Sequence, residues 1–353
     1  MLAPRTPPMQ RRPAGHPATP PERVGVILAN LGTPDATDYR SMRRYLSEFL
    51  SDRRVVDLPA WKWQPILQGI ILSRRPRASG ANYDKIWDRE RNESPLLTIT
   101  RAQSDALRER LAARWGDRVR VDFAMRYGNP STASVVRRLA NEEGCRRMLF
   151  LPLYPHYAGA TSATAADRFF RALQAETWQP AARVAPPYFE DPLWIAALAA
   201  SVRGAWAGAE AEPELLLCSY HGMPRRYLLQ GDPYHCQCQK TSRLLREALG
   251  WPEAKVRTSF QSVFGREEWL RPYTVEEVAR LAREGGVRRL AVVAPAFASD
   301  CVETLEEIQG EIRESFLHAG GTSFTYVPCL NAAPAHIDVI EGVARRELAG
   351  WLD

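Results

Sequence analysis

The run Leu215-Leu216-Leu217-Cys218 constrains the fold of this 353-residue chain more than any other stretch. Four apolar residues in succession show neither the period of two of a half-exposed strand nor the 3.6 period of a surface helix. They read as a strand buried on both faces. Such strands belong to parallel sheets with helices on either side. The run stops at Ser219-Tyr220-His221-Gly222-Met223-Pro224. Open α/β sheets bind ligands just past the carboxyl ends of their strands. The titratable imidazole of His221 is therefore placed where such folds do chemistry. A histidine that merely closes a strand is the plainer explanation of an isolated Ser-x-His-Gly, and the rest of the chain decides between the two.

The pattern recurs. Strands are expected at residues 24–34, 119–125, 147–155, 215–219, 256–259, 289–295 and 325–328. Helices are expected at 38–50, 95–115, 161–175, 191–206, 240–249, 274–284, 302–319 and 335–352. Ser131 and Thr274 stand where helices need N-caps. Strand–helix alternation of this kind predicts an α/β protein with two Rossmann-like, doubly wound parallel-sheet domains. Residues 1–21, rich in Pro, Arg and Thr, read as a disordered leader. Residues 22–189 form the first domain, 190–334 the second, and 335–353 a C-terminal helix. Within the first domain, Trp61, Trp63, Ile66, Leu67, Ile70, Ile71 and Leu72 precede Arg74, Arg75 and Arg77. This stretch, within a segment spanning 60–95, is either a core helix or a lip touching a bilayer or a greasy ligand.

The formal net charge of +6 suits an anionic partner, a carboxylate-bearing substrate or acidic lipid among them. The basic residues are scattered, no nucleic-acid module is visible, and a solvated arginine-rich surface accounts for most of the excess. No apolar run approaches the ~18 residues of a membrane span, and the first residues lack the apolar core of a secretory signal. The expected location is the cytoplasm. Of six cysteines, only Cys236 and Cys238, after His235, lie close together. Their spacing is not that of a usual zinc or iron–sulfur site.

In the second half, three strand ends carry polar or aromatic residues: 219–221, 260–262 and 297–300. They share one sheet edge, so His221 is expected to face Asp300 and Glu303 across a crevice. Glu303, Glu307, Glu311 and Glu314 recur at spacings of three and four along one helix face. A solvated face explains many such rows, but Glu303 falls in the first turn beside a strand end. A row running from crevice to surface also suits passage of a divalent cation. An imidazole facing a carboxylate ligates a borderline metal such as Fe(II) or Zn(II), or acts as a pair of general bases. No nucleophilic triad pattern is present.

At these residues the sequence resembles ferrochelatase, the family that inserts ferrous iron into a porphyrin. The resemblance rests on the order and spacing of several segments. They are Leu28-Ala29-Asn30-Leu31-Gly32-Thr33-Pro34, Leu151-Pro152-Leu153-Tyr154-Pro155, Ser219 to Pro224, Gly231-Asp232-Pro233-Tyr234 and Phe260-Gln261-Ser262. Gly265-Arg266-Glu267-Glu268-Trp269-Leu270, Ser299-Asp300-Cys301-Val302-Glu303-Thr304-Leu305-Glu306-Glu307 and Pro328-Cys329-Leu330-Asn331 complete the set. It covers essentially the whole chain after the leader and implies a chelatase-like fold with the porphyrin between the domains. It implies that His221 and Glu303 are the catalytic pair and metal contacts, with Glu307 and Glu311 an outer metal-relay site. Arg74, Arg75 and Ser94 would meet the porphyrin propionates. Leu31, Arg126, Tyr127, Trp269 and Phe297, with Asp300, would line the pocket beneath the lip, which would touch the membrane peripherally. Ferrous iron is then a substrate, and no permanently bound cofactor is implied. Some family members hold an iron–sulfur cluster in a C-terminal extension that this sequence does not contain, so no cluster is expected. His156 stands where the family commonly has Gln and is expected at the surface. The competing readings are a cobalt or other tetrapyrrole chelatase and a non-catalytic metal- or solute-binding protein. Relatives of the first kind tend to use a second His in place of Glu303.

Overall fold

The computed structural model describes residues 22–207, 212–265 and 267–353, together with Gly15. Apart from Gly15, the expected leader lies outside the described residues. The first half runs β1 (Arg23–Thr33), α1 (Tyr39–Leu50), α2 (Ala60–Ile66), α3 (Leu72–Ile86), α4 (Pro95–Trp115), β2 (Val119–Gly128), α5 (Thr132–Asn141), β3 (Cys145–Pro152), α6 (Thr164–Gln174) and β4 (Ala181–Val184). The second runs α7 (Pro192–Ala205), β5 (Leu215–His221), α8 (Arg225–Leu229), α9 (Tyr234–Leu249), β6 (Val256–Gln261), α10 (Thr274–Arg283) and β7 (Arg289–Val293). A π-helical segment (Glu303–Ile312) follows, then α11 (Arg313–His318), β8 (Ser323–Val327) and α12 (Pro334–Leu348).

Each half builds a four-stranded sheet, ordered β2-β1-β3-β4 and β6-β5-β7-β8. All pairings are parallel. The order is the same in both, so each sheet has its switch point beside its first strand, between β1 and β3 and between β5 and β7. Ligand crevices form there. The second is visibly open: β5 pairs with β7 only through Cys218 but with β6 through His221. His221 therefore leaves the sheet at the point where its neighbours part.

The two lobes share one apolar core. Leu107 and Leu111 of α4, Trp194 of α7, Leu216 and Tyr220 of β5, and Ile337, Ile340 and Val343 of α12 belong to a single buried cluster. α12 packs on α4, α7 and β3 and so staples both lobes together. Smaller cores lie between each sheet and its outer helices.

Local rules account for most boundaries. Asp38 caps α1, Ser94 caps α4 ahead of Pro95, Ser131 caps α5 and Asp191 caps α7, each accepting a backbone N–H of the first turn. Gly32 has φ +112°, and a Cβ there would sit 1.8 Å from the Tyr127 carbonyl oxygen. Only glycine allows β1 and β2 to approach so closely. Thr274 departs from expectation. The cap of α10 is Tyr273, which makes no side-chain cap bond. The Thr274 hydroxyl is instead buried between Ser219 and Ser259, 2.9 Å from each. The stretch at Trp61 is also longer than expected. A helical run from Ala60 passes through a π turn at Leu67–Ile71 and continues to Ile86, with Pro65 and Pro76 inside it.

Candidate active site at the switch point of the second sheet

His221 is half-buried at the end of β5. Its Nδ1 lies 2.7 Å from the Gly222 carbonyl oxygen. A carbonyl only accepts, so Nδ1 carries a proton, and whenever the ring is neutral the lone pair is on Nε2, open to a proton or a metal. Gly222 is packed too tightly for any other residue: a Cβ would lie 2.6 Å from the Gln261 carbonyl oxygen and 3.0 Å from the Trp269 ring. The imidazole is thus oriented by backbone that cannot shift.

Glu307, on the π segment, is the carboxylate whose titration responds to His221. It accepts from the Ser262 N–H at 2.6 Å, the Ser262 hydroxyl at 2.5 Å and Gln261 Nε2 at 3.1 Å. Ser262 reaches it by adopting φ +61°, a left-handed conformation costly for a non-glycine residue. Burial raises the Glu307 pKa, and the hydrogen bonds and the His221 charge only partly oppose this. Gln261 completes the frame: its Nε2 also donates to the Glu303 carbonyl at 2.8 Å, and its Oε1 accepts from Ser219 at 2.6 Å.

The two other acidic residues expected near His221, Glu303 and Asp300, have different surroundings. Glu303 lies within electrostatic reach of Tyr45 and Tyr83, which the first lobe presents from α1 and α3. Burial first pushes both tyrosines upward; the Glu303 charge follows for Tyr45, and for Tyr83 it adds to the larger effect of Tyr45. Asp300 is buried and structural. Its carboxylate accepts from Thr304 at 3.0 Å, Asn331 at 2.6 Å, the Cys329 N–H at 3.3 Å and the Tyr326 hydroxyl. This fixes the loop that delivers the π segment and leaves Asp300 no free edge for a substrate. Glu311 is exposed at the outer end of the row. Glu303, Glu307 and Glu311 form a line, and among the described residues no three His, Cys, Asp or Glu side chains converge into a cage.

The remaining expected residues fall into two groups. Leu31 and Phe297 are half-buried, and Trp269, buried, packs on Phe264 at 4.8 Å and backs Gly222. Arg74 and Arg75 lie on α3 with solvent access. Arg75 sits over the Phe264 ring at 5.5 Å, and the crowding lowers its pKa. Ser94, Arg126 and Tyr127 have other duties. Ser94 is 1% exposed and caps α4 through Leu97 N–H. Tyr127 is fully buried behind the wall. It donates to Asp52 at 2.9 Å, and Arg126 is ion-paired to the same carboxylate. Asp52 escaped the sequence reading, because a lone Asp in a polar turn carries no pattern. Gln261 and Ser262 were read only as a family segment, and their positioning role becomes visible once β6 is seen to pair with β5.

His156 corrects an expectation. It is 1% exposed rather than on the surface, with Nε2 2.8 Å from the Thr241 hydroxyl and its ring against Tyr220, Tyr234 and Phe189. Burial pushes its pKa down to about 3. A cavity of about 350 Å³ lies elsewhere, at the carboxyl ends of β3 and β4, lined by Arg54, Tyr154, Tyr157, Pro186 and Pro187 among others. Asp167 also lines it, but no imidazole does, and none of the glutamates of the π segment reaches it.

A family model described as ferrochelatase matches residues 23–348. The chain is 64% identical over 342 residues to a ferrochelatase of Rhodobacter capsulatus, covering 97% of each chain. It is 54% identical over 337 residues to one of Rhizobium meliloti, covering 96% of this chain and 98% of that one. Among solved structures it resembles a multi-domain protein of Deinococcus radiodurans described as structurally similar to chelatases. The TM-score is 0.54 at 13% identity, over 92% of this chain and 55% of that one. It also resembles SirB of Bacillus subtilis, solved with Fe3+, with a TM-score of 0.51 at 12% identity over 70% and 90% of the two chains. At such identities the structures speak to the fold alone.

Proposed function

The chain belongs to the ferrochelatase family, and we propose that it forms protohaem with His221, Glu303 and Glu307 as its working residues. The enzyme is a lyase that joins ferrous iron to protoporphyrin, and the alternatives of a cobalt chelatase or a non-catalytic binding protein find no support among these relatives. The reaction replaces two pyrrole N–H protons by one Fe(II), so the site must accept two protons and offer the ion ligands in place of water. The observation that carries the assignment is the bare Nε2 of His221, fixed by the Gly222 carbonyl beside the held carboxylate of Glu307. Nε2 takes the first proton. Glu307, whose pKa is raised by burial, takes protons more readily than an ordinary carboxylate and hands them toward exposed Glu311. The same row offers oxygen ligands to incoming iron, with Glu303 at its inner end facing the first-lobe tyrosines.

Arg74 and Arg75 on the lip are the proposed partners of the porphyrin propionates, since guanidinium groups match carboxylates bidentately. The lip also exposes Trp61 by 74% and Ile70 by 63%, and we assign this face to peripheral contact with a membrane surface. Among the described residues no helix is long and apolar enough to cross a bilayer. We further propose that no resident iron–sulfur cluster is used. Cys145, Cys218, Cys238, Cys301 and Cys329 are buried and Cys236 is exposed, and among the described residues no three His, Cys, Asp or Glu side chains converge on a point that could hold a metal. Anaerobic incubation of the protein with protoporphyrin and Fe(II), followed by absorbance, tests the reading. Replacement of the free-base spectrum by that of protohaem, faster than without protein, is expected, and equality with the protein-free rate refutes it.

A further inference from the structure

Resting on the proposed role of the carboxylate row, we infer that Lys85 is a built-in cation that holds the lip against the second lobe and yields its place to an entering divalent ion. Lys85 stands in the last turn of α3, on the lip. Its Nζ donates to Glu306 Oε1 at 2.7 Å, a bond between residues 221 positions apart that joins the two lobes. The partners differ in environment: the Lys85 side chain is 60% exposed and that of Glu306 only 15%. A carboxylate so withdrawn from water depends on a nearby cation. The ammonium also feels Glu314 and Glu311, which together with Glu306 raise its pKa. One positive charge therefore stands before Glu306 and the outer carboxylates of the row, Glu311 and Glu314.

A second contact closes the lip at the same time, the Arg75 guanidinium over Phe264. That contact is made to an aromatic face, so a metal ion does not compete for it. Lys85 is the contact that does compete. A divalent ion carries twice the charge and takes several carboxylate oxygens at once, whereas the ammonium offers three hydrogen bonds and is tethered to α3. The withdrawn carboxylate stays neutralised when the ion takes over, and the ammonium, 60% exposed, returns to water. Arrival of the ion at the row thereby loosens the lip that covers the cleft. Lys85 touches neither porphyrin nor the reacting atoms and acts as a positioning residue.

The test is tryptic cleavage of the full chain within the lip, after Lys62, Arg74 or Arg77, with and without Zn2+. A peptide substrate in the same buffers corrects for effects on trypsin. Cleavage through transient opening reports the population of the open lip. Wild type is expected to be cut slowly and about two- to five-fold faster with Zn2+, the range set by an ion pair with one exposed partner. Lys85→Gln is expected to be cut at the faster rate without Zn2+ and to respond no further, and Lys85→Arg to behave as wild type. Slow cleavage of Lys85→Gln without Zn2+ overturns the proposal, as does a wild-type rate that ignores Zn2+. Zn2+ titration of wild type and Glu311→Gln separates the causes. If Glu311→Gln binds Zn2+ as wild type does, the row is not the metal's path. If it binds more weakly while the wild-type lip stays shut, the latch alone is wrong.

Discussion

Replacing Asp52 by Ala should destabilise the protein by about 3–5 kcal/mol, the usual cost of removing one partner of a buried ion pair. The figure follows from the surroundings. The side chains of Asp52 and Arg126 are 10% and 11% exposed. The carboxylate also accepts the Tyr127 hydroxyl at 2.9 Å, the Arg54 N–H at 2.8 Å and the Thr164 hydroxyl. Burial alone would raise its pKa, but these bonds and the Arg126 charge more than reverse the effect, so it sits below the ordinary carboxylate range. Without Asp52, the guanidinium is left beside Tyr127 and Thr164 with no counter-charge. Asp52→Asn keeps the shape and loses the charge, and should cost about 1.5–3 kcal/mol. Combining Asp52→Ala with Arg126→Leu should cost less than the sum of the two, because the second change removes the orphaned charge. Urea unfolding gives the numbers, provided the slope m is unchanged. A loss below about 1 kcal/mol for Asp52→Ala, as for exposed pairs, would show that the buried cluster is not the support this geometry implies.

Stability should fall as pH drops below about 6.5, because His156 and His336 are buried in neutral form with pKa values of about 3 and about 4. Unfolded histidines titrate near 6.5, so the unfolded chain binds more protons between 6.5 and those values, at up to about 1.4 kcal/mol per pH unit for each. His156→Gln should flatten the pH dependence of the urea midpoint over this window relative to wild type, and an unchanged slope would contradict the burial argument. Trp61→Ser combined with Ile70→Ser should lower sedimentation with anionic vesicles at least about ten-fold, since each buried side chain of this kind contributes about 1.5–3 kcal/mol. Equal partitioning of variant and wild type would remove the lip from the membrane.

Much of the fold was legible because parallel strands are buried on both faces and leave unbroken apolar runs. The strand at Leu215 is the clearest case. β4 was missed because Ala181 and Ala182 are exposed at the sheet edge and no apolar run marks them. α9 begins six residues before its expected start, since its first buried positions are Tyr234 and Cys238 among polar neighbours. The π geometry at Glu303–Ile312 has no signature in side-chain spacing that separates it from α-helix. In the site, His221 and the glutamate row were visible as residue types at strand and helix ends. Their partners were not. The pairing of Glu307 with Ser262, and the engagement of Asp300 with Asn331 and Tyr326, depend on contacts between segments 26 to 45 residues apart or held by a single strained φ. No local pattern encodes them.

The most direct test of the account compares His221→Ala with wild type in two measurements on the same preparations: protoporphyrin binding by fluorescence quenching, and anaerobic Fe(II) insertion. The account predicts binding within a few-fold of wild type and insertion reduced at least about 100-fold, the contribution typical of a positioned base. Insertion near the wild-type rate would show that Nε2 of His221 is not the group that accepts the pyrrole proton.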